Sequence, residues 1–399
     1  MSKTEQGFTW IIALFAAITA INPFAIDMYL PAMALIADDL NSSTRIMQLS
    51  ISLYLLGYAV GLIIFGPITE KIAQKKLVML GLLGFAISNV LIVSVSEQWA
   101  FLALRAFQAF IGSAAIVTIP AFMRRAYGEQ MAKGMSYVAM IMMLAPMIAP
   151  SIGAALLHVG NWHWIFTALT IYTLFVLILV TVLLPNEPAQ KPNEPIQFLK
   201  SYKLVLSNKL VYPKLGIITI SSFSFFAYIT AIPLIYLEVY QVSESTFSIL
   251  FGMNVIALIV AHYINTRLVS RIGSANIIKF APLINISAAT LILVIAWFDL
   301  GLYAFVAILP ILIGSNSLVS TNIDALIHLS FKDSSGPVSA VNGTLRFSIG
   351  SLSGPLLAFF YDGSPLPYAI LVFISAIITL MLLKYDKHTP THTKKATIN

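Results

Sequence analysis

Long apolar runs, each closed by a short polar cluster, recur along the whole of this chain. Crossing the hydrocarbon core of a bilayer takes about 20 apolar residues at ~1.5 Å rise each. By that measure the pattern predicts helices near 9–36, 46–68, 77–96, 99–123, 135–157 and 163–184. A polar stretch rich in Pro, Lys and Glu follows over 185–211. Six more helices are predicted near 212–240, 245–266, 277–297, 302–330, 338–361 and 366–384. The expected fold is an all-α membrane protein of twelve transmembrane helices in two six-helix halves. The halves are residues 1–190 and 212–399, joined by a linker over 191–211, with a short tail at the end.

Composition narrows the class without changing that picture. The 399 residues are 59% hydrophobic and 10% charged, with a mean hydropathy of +0.89, whereas soluble domains carry about 25% charged residues. The absence of cysteine excludes disulfides and thiolate metal sites. The opening Met1-Ser-Lys-Thr-Glu-Gln-Gly lacks a small-residue cleavage site, so the first run reads as a retained helix.

Charge sets the expected orientation. With a cytoplasmic N-terminus, the inner segments hold twenty of the 23 lysines and arginines; Arg45 falls outside, and Arg105 and Arg346 fall within spans. Trp10 then sits at the inner interface, and Trp99, Trp162, Trp164 and Trp297 at the outer one. Both termini are expected in the cytoplasm of a bacterium, with the chain a single unit in the inner membrane. The net charge of +7 belongs to loops beside anionic lipid, so the lipid bilayer rather than nucleic acid is the expected partner.

The two halves also echo one another. Gly66-Pro-Ile-Thr-Glu70-Lys71-Ile-Ala-Gln-Lys75-Lys76 after helix 2 has a weak counterpart in Asn265-Thr-Arg267-Leu-Val-Ser-Arg271-Ile-Gly273 after helix 8. Ala149-Pro150-Ser-Ile-Gly153 in helix 5 pairs with Gly350-Ser-Leu-Ser-Gly354-Pro355 in helix 11. Transporters built from two such halves place their site at the midplane between them.

Charges inside the spans are the sharpest candidates. Asp27, in Asn22-Pro-Phe-Ala-Ile-Asp27-Met-Tyr-Leu-Pro31, lies roughly 13 Å from the outer end of helix 1, and Arg105 roughly 9 Å from the outer end of helix 4. An intramembrane acid marks an ion relay or substrate site by default. A coupling carboxylate must take up and release a proton, and a neighbouring guanidinium or a cationic cargo shifts that balance. The bland alternative is a static ion pair that fixes packing. Asp324 and Arg346 lie at matching depths in helices 10 and 11, as a salt bridge requires. Arg346 could instead clamp an anionic cargo through its bidentate geometry.

Other positions suggest gates and walls. Gly66, Glu70, Lys71, Lys75 and Lys76 combine a carboxylate with cations at a helix end, which suits a state-dependent latch; headgroup anchoring explains the lysines alone. Pro146 and Pro150 remove backbone donors from helix 5 and favour a gating bend. Phe223, Phe225, Phe226 and Tyr228 on helix 7, and Met140, Met142, Met143 and Met147 on helix 5, supply adaptable apolar surface. Tyr54 and Tyr58 share one face of helix 2. Asn254 and Asn322 are polar candidates from the second half, and His262 is a possible proton carrier.

These residues resemble the major facilitator superfamily, and within it the Bcr/CflA-type drug:proton antiporters, over essentially the whole length. Asp27-Met-Tyr-Leu-Pro31 is similar to the acid-Met-Tyr-Leu-Pro signature of helix 1. The helix 2–3 loop resembles the Gly-x-x-x-Asp-Arg-x-Gly-Arg-Arg gate motif, with Glu70 for the acid, Lys71 for the first arginine, Ala73 for the glycine and Lys75-Lys76 for the basic pair. Arg105-Ala-Phe-Gln108 resembles the helix 4 Arg-x-x-Gln motif, tied to proton coupling. Ala145-Pro146-Met-Ile-Ala149-Pro150-Ser-Ile-Gly153 resembles the antiporter motif of helix 5. Asp324 and Arg346 lie outside the group's pattern.

The resemblance implies a proton-coupled exporter of small amphipathic compounds, with antibiotic resistance as a consequence. Asp27 and Arg105 would couple protons, and Tyr54, Tyr58, Gln108, Phe225, Phe226, Asn254, Asn322 and Arg346 would meet cargo. An exporter of an anionic metabolite, such as a carboxylate siderophore, is the competing expectation, and a non-transporting membrane receptor a weaker one. No nucleotide-binding loop, metal cluster or catalytic triad spacing occurs, so no cofactor, metal or enzymatic activity is expected.

Overall fold

A computed structural model of the chain describes residues 3–127, 131–186, 203, 205–331 and 335–386. Its long helices are α1 (Lys3–Asp27), α2 (Leu49–Lys71), α3 (Gln74–Val93), α4 (Gln98–Ile116), α5 (Met131–Val159) and α6 (His163–Leu183). The second half holds α7 (Tyr212–Pro233), α8 (Glu244–Ile272), α9 (Ser274–Trp297), α10 (Gly301–Ser330), α11 (Ser335–Gly350) and α12 (Leu366–Tyr385). Ten of these regions are long and apolar enough to span a membrane among the described residues. Helix α5 runs through Pro146 and Pro150 as one element, and α11 continues after a turn as Ser353–Phe360.

Packing repeats between the halves. Helix α1 packs on α5, α2 on α4, α3 on α4 and α3 on α6; in the second half α7 packs on α11, α8 on α10, α9 on α10 and α9 on α12. The halves meet along α2 with α11 and along α5 with α8, which are equivalent helices under that repeat. Outward faces are lipid-like: Leu80, Leu83, Ile87 and Val90 form an exposed stripe on α3, while Leu77, Gly81, Phe85 and Ser88 are buried behind it. The linker expected over 191–211 lies largely outside the described residues.

Three helices break where the sequence pattern suggested continuity, and proline explains each. A proline has no N–H for the carbonyl four residues earlier, and its ring crowds that carbonyl. Accordingly α1 stops at Asp27 ahead of Pro31, α4 stops at Ile116 ahead of Pro120, and α11 turns at Ser351 ahead of Pro355. The first span, expected as one helix over 9–36, is therefore split. After Asp27 it continues as a 3₁₀ turn, Leu30–Ala32, and a short helix, Met33–Asp39. Pro233 has a similar effect on α7, which passes into a π-helical turn over Leu234–Val239.

The ends of the helices define two sides. The proximal side carries Lys71, Lys75 and Lys76, the start of α1 and the end of α12. The distal side carries Asp39, Trp162, Asp299 and Asp362.

Candidate functional site

The helix break puts Asp27 at the end of α1, 3% exposed, and its Oδ1 has no hydrogen-bond partner. Beside it Arg105 is 0% exposed, with its two terminal nitrogens engaged and its Nε without a partner. Its Nη2 donates to the Ala25 carbonyl at 2.8 Å, and its Nη1 donates to Gln108 Oε1. Gln108 passes the chain on, donating from Nε2 to Asn89 Oδ1 at 2.6 Å. The guanidinium lies 4.4 Å from the Tyr29 ring centre, 4.6 Å from Tyr54 and 5.8 Å from Phe166. Such stacking over aromatic faces is worth about 2 kcal/mol or more when desolvated.

Among the described residues the ion pairs are Lys214–Asp386, His328–Asp324 and Arg346–Asp324, so Asp27 and Arg105 are not paired here. They instead share a neighbour: Tyr29, two residues after Asp27, lies under the Arg105 guanidinium. The arginine grips the backbone of the broken helix and leaves the carboxylate without a counter-ion.

Aromatic residues line the boundary between the halves. Tyr58 of α2 sits 4.4 Å from Phe347 of α11, ring centre to ring centre. Phe347 in turn lies 5.5 Å from Phe226, which is 5.7 Å from Phe225. Tyr54, Tyr58 and Phe226 are buried and Phe225 is half-buried. Asn254 is buried with its Nδ2 unpartnered. Asn322 is not brought to this group: its Nδ2 donates to Asn265 Oδ1 at 2.7 Å, clasping α10 to α8.

Asp324 and Arg346 come within 3.4 Å of each other. Asn342 donates to Asp324 Oδ1 at 2.7 Å and His328 stands 3.9 Å away, so the carboxylate has three partners. Their side chains are about a third exposed towards the proximal part of the protein.

The motif residues divide between the two sides. Gly66 is buried near the proximal end of α2, Lys71 and Lys76 are exposed, and the Glu70 side chain lies outside the described residues. Lys75 donates to the Thr181 carbonyl at 2.8 Å, capping α6 within its own half. In α5, Gly153 faces the Met28 carbonyl so closely that any β-carbon would fall 1.8 Å from it. Pro150 offers its carbonyl to Ser248 Oγ of α8 at 3.1 Å, and Pro146 is partly buried. The side chains of Met140, Met142, Met143 and Met147 lie outside the described residues.

Among the described residues four hydrogen bonds join the halves, and these four lie on the distal side. Gln48 Nε2 donates to the Thr230 carbonyl at 3.0 Å, and the Gly354 amide donates to Ser52 Oγ at 2.9 Å. Ser248 reaches Pro150, and His158 and Ser245 are 3.2 Å apart. The distal seam is thus closed by polar contacts that a rocking motion would have to break.

Sequence reasoning missed Tyr29, Asn89, Phe347, Gln48 and Thr230. Tyr29 was within reach, since it stands inside the Asp27-Met-Tyr-Leu-Pro31 signature. The others meet their partners only through the packing of helices far apart in sequence.

Two sets of six helices with repeated packing and buried charges inside them fit a membrane transporter. The family model described as Major Facilitator Superfamily matches residues 15–355, and the chain belongs to that superfamily. It is similar to the bicyclomycin resistance protein homolog of Haemophilus influenzae, 28% identical over 96% of this chain and 97% of that one. The chloramphenicol resistance protein CraA of Acinetobacter baumannii is 26% identical over 74% of this chain and 72% of its own. Among solved structures, a bacterial homologue of the human lysosomal transporter Spinster, inward-facing and unoccupied, superposes with a TM-score of 0.69 at 12% identity. That match covers 97% of this chain and 96% of the other.

Proposed function

We propose that this protein exports small amphipathic compounds in exchange for protons, with Asp27 as the proton-carrying group and Arg105 holding the broken helix around it. The observation that carries the reading is the Asp27 carboxylate itself. It is 3% exposed at a helix break, next to the boundary between the halves, and lacks an ion-pair partner. An unpaired buried carboxylate is costly unless it binds a proton or a cation. The relatives' resistance to bicyclomycin and chloramphenicol supports a drug-like cargo.

In this reading the proximal side is the cytoplasm of a bacterium, a single chain is the working unit, and the closed distal seam faces outward. One proton moving down 100 mV supplies about 2.3 kcal/mol, enough to concentrate a neutral compound usefully. The anionic-cargo alternative loses its free clamps, because Arg105 and Arg346 both have protein partners. The test is transport by purified protein in proteoliposomes under an imposed pH gradient, with chloramphenicol, a lipophilic cationic dye and a polycarboxylate as probes. Movement of chloramphenicol or the dye is expected; gradient-driven movement of the polycarboxylate alone would overturn the reading.

A further inference from the structure

The start of α2 carries three polar side chains at alternate positions, and they meet two different neighbours. Gln48, Ser50 and Ser52 are 0%, 0% and 3% exposed. Residues four apart share a helix face, while the residue midway between them lies about 200° around. Gln48 and Ser52 accordingly meet the second half, at Thr230 and Gly354. Ser50 is turned back into the first half, where its Oγ lies 2.7 Å from the Tyr29 hydroxyl.

The contacts on the second-half face close into a ring. Gln48 Nε2 holds the Thr230 carbonyl, the Thr230 hydroxyl stands 3.1 Å from Ser353 Oγ, and the Gly354 amide returns to Ser52 Oγ. One turn of α2 thereby holds both α7 and the continuation of α11. On the other face the direction of the bond is fixed. Ser50 Oγ donates its one hydrogen to the Met47 carbonyl at 2.5 Å, so the Tyr29 hydroxyl is the donor to Ser50. Tyr29 is 1% exposed and follows Asp27 by two residues, in the break after α1. Its ring lies 4.4 Å from the Arg105 guanidinium.

We propose that Tyr29 is a positioning residue that links the acid site to the distal seam: through Ser50 it passes the state of the broken helix at Asp27 to the turn that bears Gln48 and Ser52. That the state is set by a proton on Asp27 rests on the exporter reading above; the link from the break to the seam does not.

The two flanks of Asp27 are fastened unequally. On one side Arg105 grips the Ala25 carbonyl while also holding Gln108 and stacking on two tyrosines. On the other side Tyr29 is fastened to α2 by a single hydroxyl bond. When Asp27 needs more room, as a charged group gathering water does, the Tyr29 side gives. Its hydroxyl then draws on Ser50. Gln48 and Ser52 share that turn, so both leave their partners together. With Gln48, Ser50, Thr230 and Ser353 all 0% exposed, no solvent stands ready to replace a bond that strains.

Double electron–electron resonance on the purified full chain in nanodiscs tests the link. Spin labels go at Glu97→Cys and Tyr303→Cys, exposed distal positions of the two halves, and no native cysteine competes. Asp27→Asn, which removes the charge, should shift the distances towards the short value of the closed seam. Tyr29→Phe removes the donor of the link and Ser50→Ala its acceptor, and either should abolish that response. A tyrosine that merely fills space would change stability and leave the response intact. A response that survives both substitutions would overturn the link, as would a distribution unmoved by Asp27→Asn alone. The exporter reading is decided by gradient-driven movement of chloramphenicol or the dye in proteoliposomes, so its failure is seen separately from a failure of the link.

Discussion

Arg105 donates a 2.8 Å hydrogen bond to the backbone carbonyl of Ala25, two residues short of Asp27, and leaves the carboxylate unpaired. The relationship inverts the simplest expectation for an acid and a base in one membrane site. Holding the backbone rather than the side chain fixes where the carboxylate sits without neutralising it.

This makes Arg105 a positioning residue with a geometry that lysine cannot copy. The guanidinium serves two acceptors and two tyrosine faces at once, whereas an ammonium is a single compact charge. Arg105→Lys and Arg105→Ala should both lower stability by about 2–4 kcal/mol, from lost charged hydrogen bonds and a stranded Gln108. Thermal unfolding in detergent, followed by tryptophan fluorescence, measures it. A lysine variant as stable as wild type would contradict the caged arrangement.

The distal seam offers a direct lock. A β-carbon at Gly354 would lie 3.1 Å from Cβ of Ser52, close to the ~3.5–4.5 Å that disulfides require. The chain contains no cysteine, so a Ser52→Cys/Gly354→Cys pair has no background. Mild oxidation should cross-link the pair and halt transport, and reductant should restore it. Full transport by the cross-linked protein would show that this seam does not open during the cycle.

Lys214 and Asp386 form an ion pair at 2.8 Å with side chains only 5% and 2% exposed, joining the start of α7 to the end of α12. Removing one partner of such a buried pair costs about 3–5 kcal/mol, while replacing both with apolar groups is often neutral. Asp386→Ala should therefore destabilise strongly, and Lys214→Met/Asp386→Leu should recover most of the loss. Unfolding midpoints of the single and double variants decide it; equal damage in both would argue against a simple pair.

Asp324 and Arg346 present a milder case. Both side chains are about a third exposed, and solvent screening limits such a pair to about 0.5–1 kcal/mol. A double-mutant cycle with Asp324→Asn and Arg346→Gln should return a coupling of that order. Polycarboxylate binding, measured by calorimetry, should be absent in wild type and in Arg346→Gln alike. Binding in wild type that Arg346→Gln abolishes would restore the anion-clamp reading.

Much of the architecture follows from local sequence. Apolar runs of spanning length, the basic loops and the six-helix echo account for the helices and their pairing, and Pro31, Pro120 and Pro355 account for the breaks at Asp27, Ile116 and Ser351. The breaks were legible in principle, because the lost donor acts on a carbonyl four residues away. Arg105 and Asp27 stood out for a similar reason: a charge inside an apolar run is visible without knowing its neighbours. Their actual partners were not visible. Ala25, Asn89 and Phe347 meet the site through helix packing, and nothing in the periodicity of α3 or α11 specifies which residue faces across a boundary. Lys75 is a similar case: its place in a helix-end latch motif was visible, but its acceptor, the Thr181 carbonyl of α6, was not.

The central claim is that Asp27 carries the proton that drives export. The direct measurement compares wild type with Asp27→Asn in proteoliposomes, following chloramphenicol and the cationic dye with and without a pH gradient. Gradient-driven movement should disappear in Asp27→Asn while membrane insertion and gradient-free exchange persist. Gradient-driven transport at the wild-type rate in that variant would contradict the account.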